Sequence, residues 1–262
     1  MNNLKHKLKK IKDEAVHYGE YVSNFSFTKL HCEHFIVLTR ERTGSTCLLD
    51  LLSSHSKIKT DPHIFYDYTK LPQSIDCKYT RSKKNILGFK FKTQPSSFDM
   101  SEQNCERARK ELADLERQGI KVIYLERENL IKQAVSWLLA DRNDLKKQNY
   151  KKGEKPIKIK SMEFKPEAIL KRVQKIEKLT KFEKDVLSDV SFLHLKYEKN
   201  LIQENDHQPT LDKVCGFLNI EPEKAVTRYA KISSGDLSKS ISNYQDVYSI
   251  LKETKYSDQL HY

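Results

Sequence analysis

The sequence predicts an α/β fold in three αβα layers, with helices on both faces of a central, mostly parallel sheet. Three observations predict it. Short apolar runs of strand length recur along the chain, namely Phe35-Ile36-Val37-Leu38, Ile86-Leu87-Gly88-Phe89-Lys90-Phe91, Ile120 to Leu125 and Ser191 to Leu195. Segments of helical period lie between them, and strand–helix alternation is the pattern of a parallel sheet with helices packed on it. Where the first run ends, a polar turn holding Gly44 leads directly into a helix.

The first run is continuous rather than alternating, as suits a strand buried on both faces. The helix after the turn carries Leu48, Leu49, Leu51 and Leu52 on its apolar side. Residues 102–118 form a charged helix, and Gly119 follows at the position where a left-handed residue ends a helix. Further helices are expected over 129–141, 165–187, 208–218, 222–230 and 244–252. Residues 1–30 make a basic N-terminal piece. Its first twenty residues read as a basic amphipathic helix with Leu4, Leu8 and Ile11 on one side. The lysine-rich stretch 141–160 holds Gly153 and Pro156, lacks a period, and reads as a long surface loop. Neither a repeat nor a low-complexity linker interrupts the chain, so 1–262 is expected to be a single domain.

An apolar share of 37% is enough for a core, and 10% aromatics argue against disorder. No run reaches the ~18 apolar residues of a membrane span. The N-terminus MNNLKHKLKKIK lacks the apolar region of a secretory signal, so a soluble, cytoplasmic protein is expected. Five scattered cysteines, an odd number without a CxxC pair, suit reduced thiols rather than a disulfide framework or a zinc site, and no metal is expected. Lysine and arginine exceed acidic residues by 48 − 36 = 12. The surplus gathers in 5–12 and 146–160, where no aromatics interleave it, so an anionic partner is expected but not nucleic acid. Peripheral membrane contact and oligomerisation stay open.

Arg42-Thr43-Gly44-Ser45-Thr46 stands where strand becomes helix, and each residue type there suits an anion. Gly44 permits a tight turn and close approach to a ligand. The first free N–H groups of the helix and its dipole favour negative charge. Ser45 and Thr46 add hydroxyl donors, and Arg42 adds a rigid fork for phosphate or sulfate oxygens. Taken alone, the same five residues equally suit a helix cap without a ligand. Arg127 follows a strand candidate, at the end where ligands bind in open α/β sheets. Ser136 lies about two helical turns beyond Asn129, so both could face one groove. Lys90 interrupts an apolar strand, which is costly unless it reaches a cleft or a partner, although an edge strand would also tolerate it. Tyr197 suits either a ligand contact or a core position with its hydroxyl satisfied. His55, in the loop helix, suits packing or capping.

RTGSTCLLDLLSSHSKI resembles the 5′-phosphosulfate loop of sulfotransferases, in the form found in bacterial, carbohydrate-modifying members. The segment from Tyr124 through Arg127 to Ser136, with its QAVSW stretch, resembles the 3′-phosphate segment of trehalose-glycolipid and nodulation-factor sulfotransferases. The stretch around Tyr197-Glu198 is similar to the family's YEDL strand end, and Ile241-Ser-Asn243-Tyr244 to its C-terminal I-x-N-[YF] segment. The four motifs occur in the family's order and cover about residues 34–260.

The resemblance implies a P-loop-like fold and an enzyme that uses 3′-phosphoadenosine 5′-phosphosulfate (PAPS) as co-substrate. The sulfuryl group would pass in line to an acceptor hydroxyl, with a carbohydrate or glycolipid expected as acceptor, leaving the bisphosphate product PAP. By resemblance, Arg42, Thr43, Gly44, Ser45 and Thr46 hold the 5′-phosphosulfate, Arg127 and Ser136 the 3′-phosphate, and Tyr197 approaches the adenine. Arg42 and Lys90 would stabilise the transferring group. The family's glutamate base is replaced, since Asp61-Pro62-His63-Ile64-Phe65 stands where a GE-x-F stretch would be. His63 is the expected base, with Asp61 as the alternative. Three rivals stand beside this reading. An ATP-dependent phosphotransferase is opposed by the missing lysine of the Walker A pattern; a non-catalytic basic module and an inactive nucleotide-binding relative are the others.

Overall fold

A computed structural model describes residues 33–65, 86–92, 100–142, 161–228 and 235–260, with the side chains of 61–65 and 142 left out. The five described strands are β1 (Glu33–Thr39), β2 (Ile58–Phe65), β3 (Ile86–Lys92), β4 (Lys121–Glu126) and β5 (Phe192–Lys196). They form one sheet in the order β2-β3-β1-β4-β5, and all four pairings are parallel. The sheet is thus wholly parallel among the described residues. β1 lies in the middle, and its core residues Phe35 to Leu38 are fully buried, which is why the run is apolar without alternation.

The described helices are α1 (Ser45–Ser53), α2 (Glu102–Arg117), α3 (Leu130–Arg142), α4 (Pro166–Val186), the single turn α5 (Tyr197–Asn200), α6 (His207–Leu218), the short α7 (Leu237–Ser240) and α8 (Tyr244–Leu251). Alternation along the strands divides the core into two layers. Ile36, Leu38, Phe89, Phe91 and Val122 pack with Leu112 of α2 and Phe182 of α4. Phe35, Val37, Ile123 and Leu125 pack with the leucines of α1 and with Leu211 and Val214 of α6. This is the three-layer arrangement. A third cluster joins α3, α4 and α8 through Ile131, Trp137, Val173, Ile176 and Leu251. None of the described helices is long and apolar enough to cross a membrane.

Gly119 ends α2 as expected. It sits at φ 82°, its N–H reaches Glu116 O, and Ile120 N–H reaches back to Leu115 O at 3.0 Å, the paired bonds of a Schellman motif. Two elements differ from expectation. β2 forms over Ile58–Phe65, where no strand is predicted; among the described residues it is an edge strand, and its register shifts between Asp61 and Ile64 around Pro62. The expected helix over 222–230 does not form through 228, the last residue described there. Side chains satisfy that stretch instead. Ala225 N–H donates to Gln208 Oε1, Val226 N–H to Ser54 Oγ, and Arg228 N–H to Asp50 Oδ2 at 2.7 Å. Arg228 Nε and Thr227 Oγ1 also bond the nearly buried Asp50 carboxylate. An irregular strap clasped to α1 and α6 replaces the helix through 228. The N-terminal residues 1–30 and most of the expected 141–160 loop lie outside the described residues; positions 141 and 142 close α3.

Candidate anion-binding site

β1 is flanked by β3 on one side and β4 on the other, and the chain's crossovers diverge there. In open α/β sheets this switch point, at the carboxyl ends of the strands, is where ligands bind. The turn leaving β1 and the turn leaving β4 meet at that place.

Residues 40–44 are tied down from several sides. Thr39 and Thr43 bond hydroxyl to hydroxyl, and Thr43 Oγ1 donates to Arg40 O at 2.9 Å. Gln133 Nε2, from α3, donates to Glu41 O at 2.7 Å. Arg42 adopts φ 63°, a left-handed conformation that costs a non-glycine residue of order 1 kcal/mol and persists where its surroundings impose it. Arg127 NH1 donates to Arg42 O at 3.1 Å, and Arg42 Nε to Ser136 Oγ at 3.0 Å, so both ends of the strained residue are held. Gly44 follows at φ 84°, and a Cβ there would lie 2.5 Å from Tyr197 Cδ2. Glycine is required twice over, by conformation and by space.

Gly44 is the N-cap of α1, and no side-chain hydrogen bond caps the helix. Ser45 is therefore in the first turn rather than at the cap, and the first-turn N–H groups are not covered by a capping side chain. Thr46 is half-buried beside it.

Arg127 leaves the end of β4 and is nine-tenths buried. Its guanidinium lies over the Tyr197 ring at 4.8 Å, and the same ring closes against Gly44. Tyr197 thus stands between the two turns, in contact with both. Burial pulls Arg127 below the ordinary arginine value, Tyr197 and Glu198 oppose this, and the neighbouring Arg42 lowers it further. Burial likewise lowers Arg42, against the pull of Glu41. Lys132, on the first turn of α3, is lowered by burial and then by Arg127. Cations pressed together out of water in this way are relieved by a polyanion, which restores the charge balance that desolvation removed.

Lys90 lies on the other side of β1, paired in register with Val37. It alternates with Phe89 and Phe91, so it points to the face covered by α1. It is 6% exposed, and its ammonium makes no hydrogen bond or ion pair among the described residues. Burial, then Lys92, push its pKa down to about 8, with Glu41 pulling the other way. Glu41 in turn pairs with Lys92 at 3.4 Å. His63 lies on β2 within the register shift opposite Phe89 and Lys90, and its side chain falls outside the description, as does that of Asp61. His55 is buried; Lys57 N–H donates to its Nδ1, and its Nε2 meets Glu221 O at 2.9 Å.

Sequence reasoning missed the support beneath the site. Arg40, fully buried, pairs with Glu183 of α4, and the Tyr124 hydroxyl donates to Glu183 at 2.9 Å. Burial weakens Arg40 as a cation, but Glu183, Tyr124 and Glu126 together hold its pKa above the usual value. Glu183 lies 143 residues from Arg40, and nothing local in the sequence marks the pair. Gln133 and Glu198 sit inside motifs recognised above but carried no assigned role.

No protein-family model matches the chain, and no curated protein does. Among solved structures, a sulfotransferase from Alicyclobacillus acidocaldarius is similar, with 12% identity, a TM-score of 0.45, and coverage of 87% of this chain and 94% of that one. At that TM-score the likeness bears no weight on function.

Proposed function

We propose that the chain is a sulfotransferase that moves the sulfuryl group of PAPS onto an acceptor hydroxyl, with a carbohydrate or glycolipid as the expected acceptor class. The observation that carries this reading is the meeting of Arg42, Arg127 and Ser136. Arg42 lies 85 residues from Arg127 and 94 from Ser136, yet it bonds both, at 3.1 Å and 3.0 Å, beside the uncapped start of α1. Such a cluster supports a ligand with two anionic groups, one at the helix start and one between the arginines.

In the reaction the acceptor oxygen attacks sulfur while the bond from sulfur to the 5′-phosphate oxygen breaks, and the acceptor proton passes to a base. PAP departs. The first N–H groups of α1, with Ser45 and Thr46, would hold the 5′-phosphosulfate; Arg127 and Ser136 would hold the 3′-phosphate. Arg42, held against Ser136, would serve the space between them. Lys90 would neutralise charge on the transferring group, and His63 would take the proton.

Thermal unfolding tests the reading. PAP at ~100 times its dissociation constant adds ~2.7 kcal/mol of stability to a protein that binds it only when folded. The expected result is a clear rise in melting temperature with PAP, and transfer of label from ³⁵S-PAPS to a glycan or glycolipid. A rise with ATP and none with PAP would sink it.

A further inference from the structure

Glu198 begins the pattern Glu-x-x-Leu after β5, and the structure surrounds its carboxylate with donors. It stands on α5, at the carboxyl end of an edge strand, and reaches inward to the turn that leaves β4. Its Oε2 accepts from Glu128 N–H at 2.9 Å and its Oε1 from Asn129 N–H at 3.1 Å. The same Oε1 lies 3.7 Å from Arg127 Nε. Successive backbone N–H groups beside a guanidinium make an anion-binding concavity. In this protein the chain's own carboxylate fills it.

Arg127 completes the second half of the observation. It is nine-tenths buried, one of its NH groups is committed to Arg42 O, and its Nε has no hydrogen-bond partner among the described residues. Glu198 faces that Nε without fully bonding it. A carboxylate among arginines and a lysine lowers the general attraction of the site for anions. What it can contribute in return is selection, because it occupies the donors that any small anion would otherwise take.

We infer that Glu198 is a specificity-determining positioning residue. It fills the concavity at the end of β4 and fixes Arg127, so that the remaining arginine donors meet one phosphate of a larger ligand rather than a free ion. The inference rests on the reading that this site binds PAP.

Isothermal titration of the wild-type chain, Glu198→Ala and Glu198→Gln with PAP and with inorganic phosphate tests it. Freed donors and a lost negative charge should tighten phosphate binding in Glu198→Ala and lower the selectivity for PAP over phosphate by about tenfold. Glu198→Gln keeps the side chain's shape and should move the ratio in the same direction. Because Glu198 acts partly through Arg127, the effect on the ratio should be smaller when Glu198→Ala is made in an Arg127→Ala background than in the wild-type chain. An unchanged ratio in folded Ala and Gln variants overturns the inference. Wild-type protein that binds phosphate but not PAP overturns the proposed function and this inference with it, and that result needs no variant to be seen.

Discussion

The two sides of β1 handle positive charge differently. On the β4 side, Arg42 bonds Ser136, Arg127 bonds the Arg42 carbonyl and stacks on Tyr197, and Glu198 braces the turn. On the β3 side, Lys90 is buried with no bonded partner among the described residues. The first side is held together by the chain's own bonds, which suits a group that only has to be held. The second keeps a cation poorly solvated, which suits one that must respond to charge developing during a reaction.

The sharpest way to break the comparison is Arg127→Ala. Removing a buried cation from a bonded cluster should weaken PAP binding about 100-fold, roughly 3 kcal/mol, as read by calorimetry. A loss below about threefold would take Arg127 out of the site.

Lys90→Met should act on stability as well as on transfer. Lys90 loses its proton near pH 8 when folded against 10.5 in the ordinary case. Below pH 8 both states are charged and burial costs the folded state its full penalty, which fades as pH rises from about 8 towards 10.5. The substitution should therefore raise stability at pH 7 by about 1–3 kcal/mol while sulfuryl transfer falls. A lower melting temperature with unimpaired transfer would make Lys90 an ordinary strand residue.

The smallest effect is on pH dependence. Binding of a sulfate-bearing ligand on the β3 side should weaken as pH rises through about 8, because the amine loses its charge. Lys90→Met should flatten that slope. A wild-type affinity constant from pH 7 to 9.5 would remove the lysine from contact with the anion.

Much of this was legible where the information is local. The apolar run of β1, the Gly119 stop and the turn at Gly44 each follow from a few adjacent residues. β2 was not legible because Ile58-Lys59-Thr60-Asp61-Pro62 contains a proline and no apolar run, features an edge strand tolerates. The segment over 222–228 has helical composition, yet Asp50, Ser54 and Gln208 outbid the helix for its backbone, and the first two bond it from 178 and 172 residues away. At the site, the sequence marks Arg42, Arg127 and Ser136 but not that they touch. It names Glu198 in a motif without showing that its carboxylate faces the Arg127 turn.

The clasp between Asp50 and Arg228 joins residues 178 positions apart, and Arg40 and Glu183 are 143 apart. Closing such long loops is slow, because their entropy is lost before the contacts that reward it exist. The cradle's own bonds, from Arg42 to Arg127 and to Ser136, span 85 and 94 residues, so it is expected to assemble late. A bound bisphosphate would then lengthen the lifetime of the finished molecule far more than it hastens its formation, a difference that stopped-flow refolding and unfolding with and without PAP would reveal.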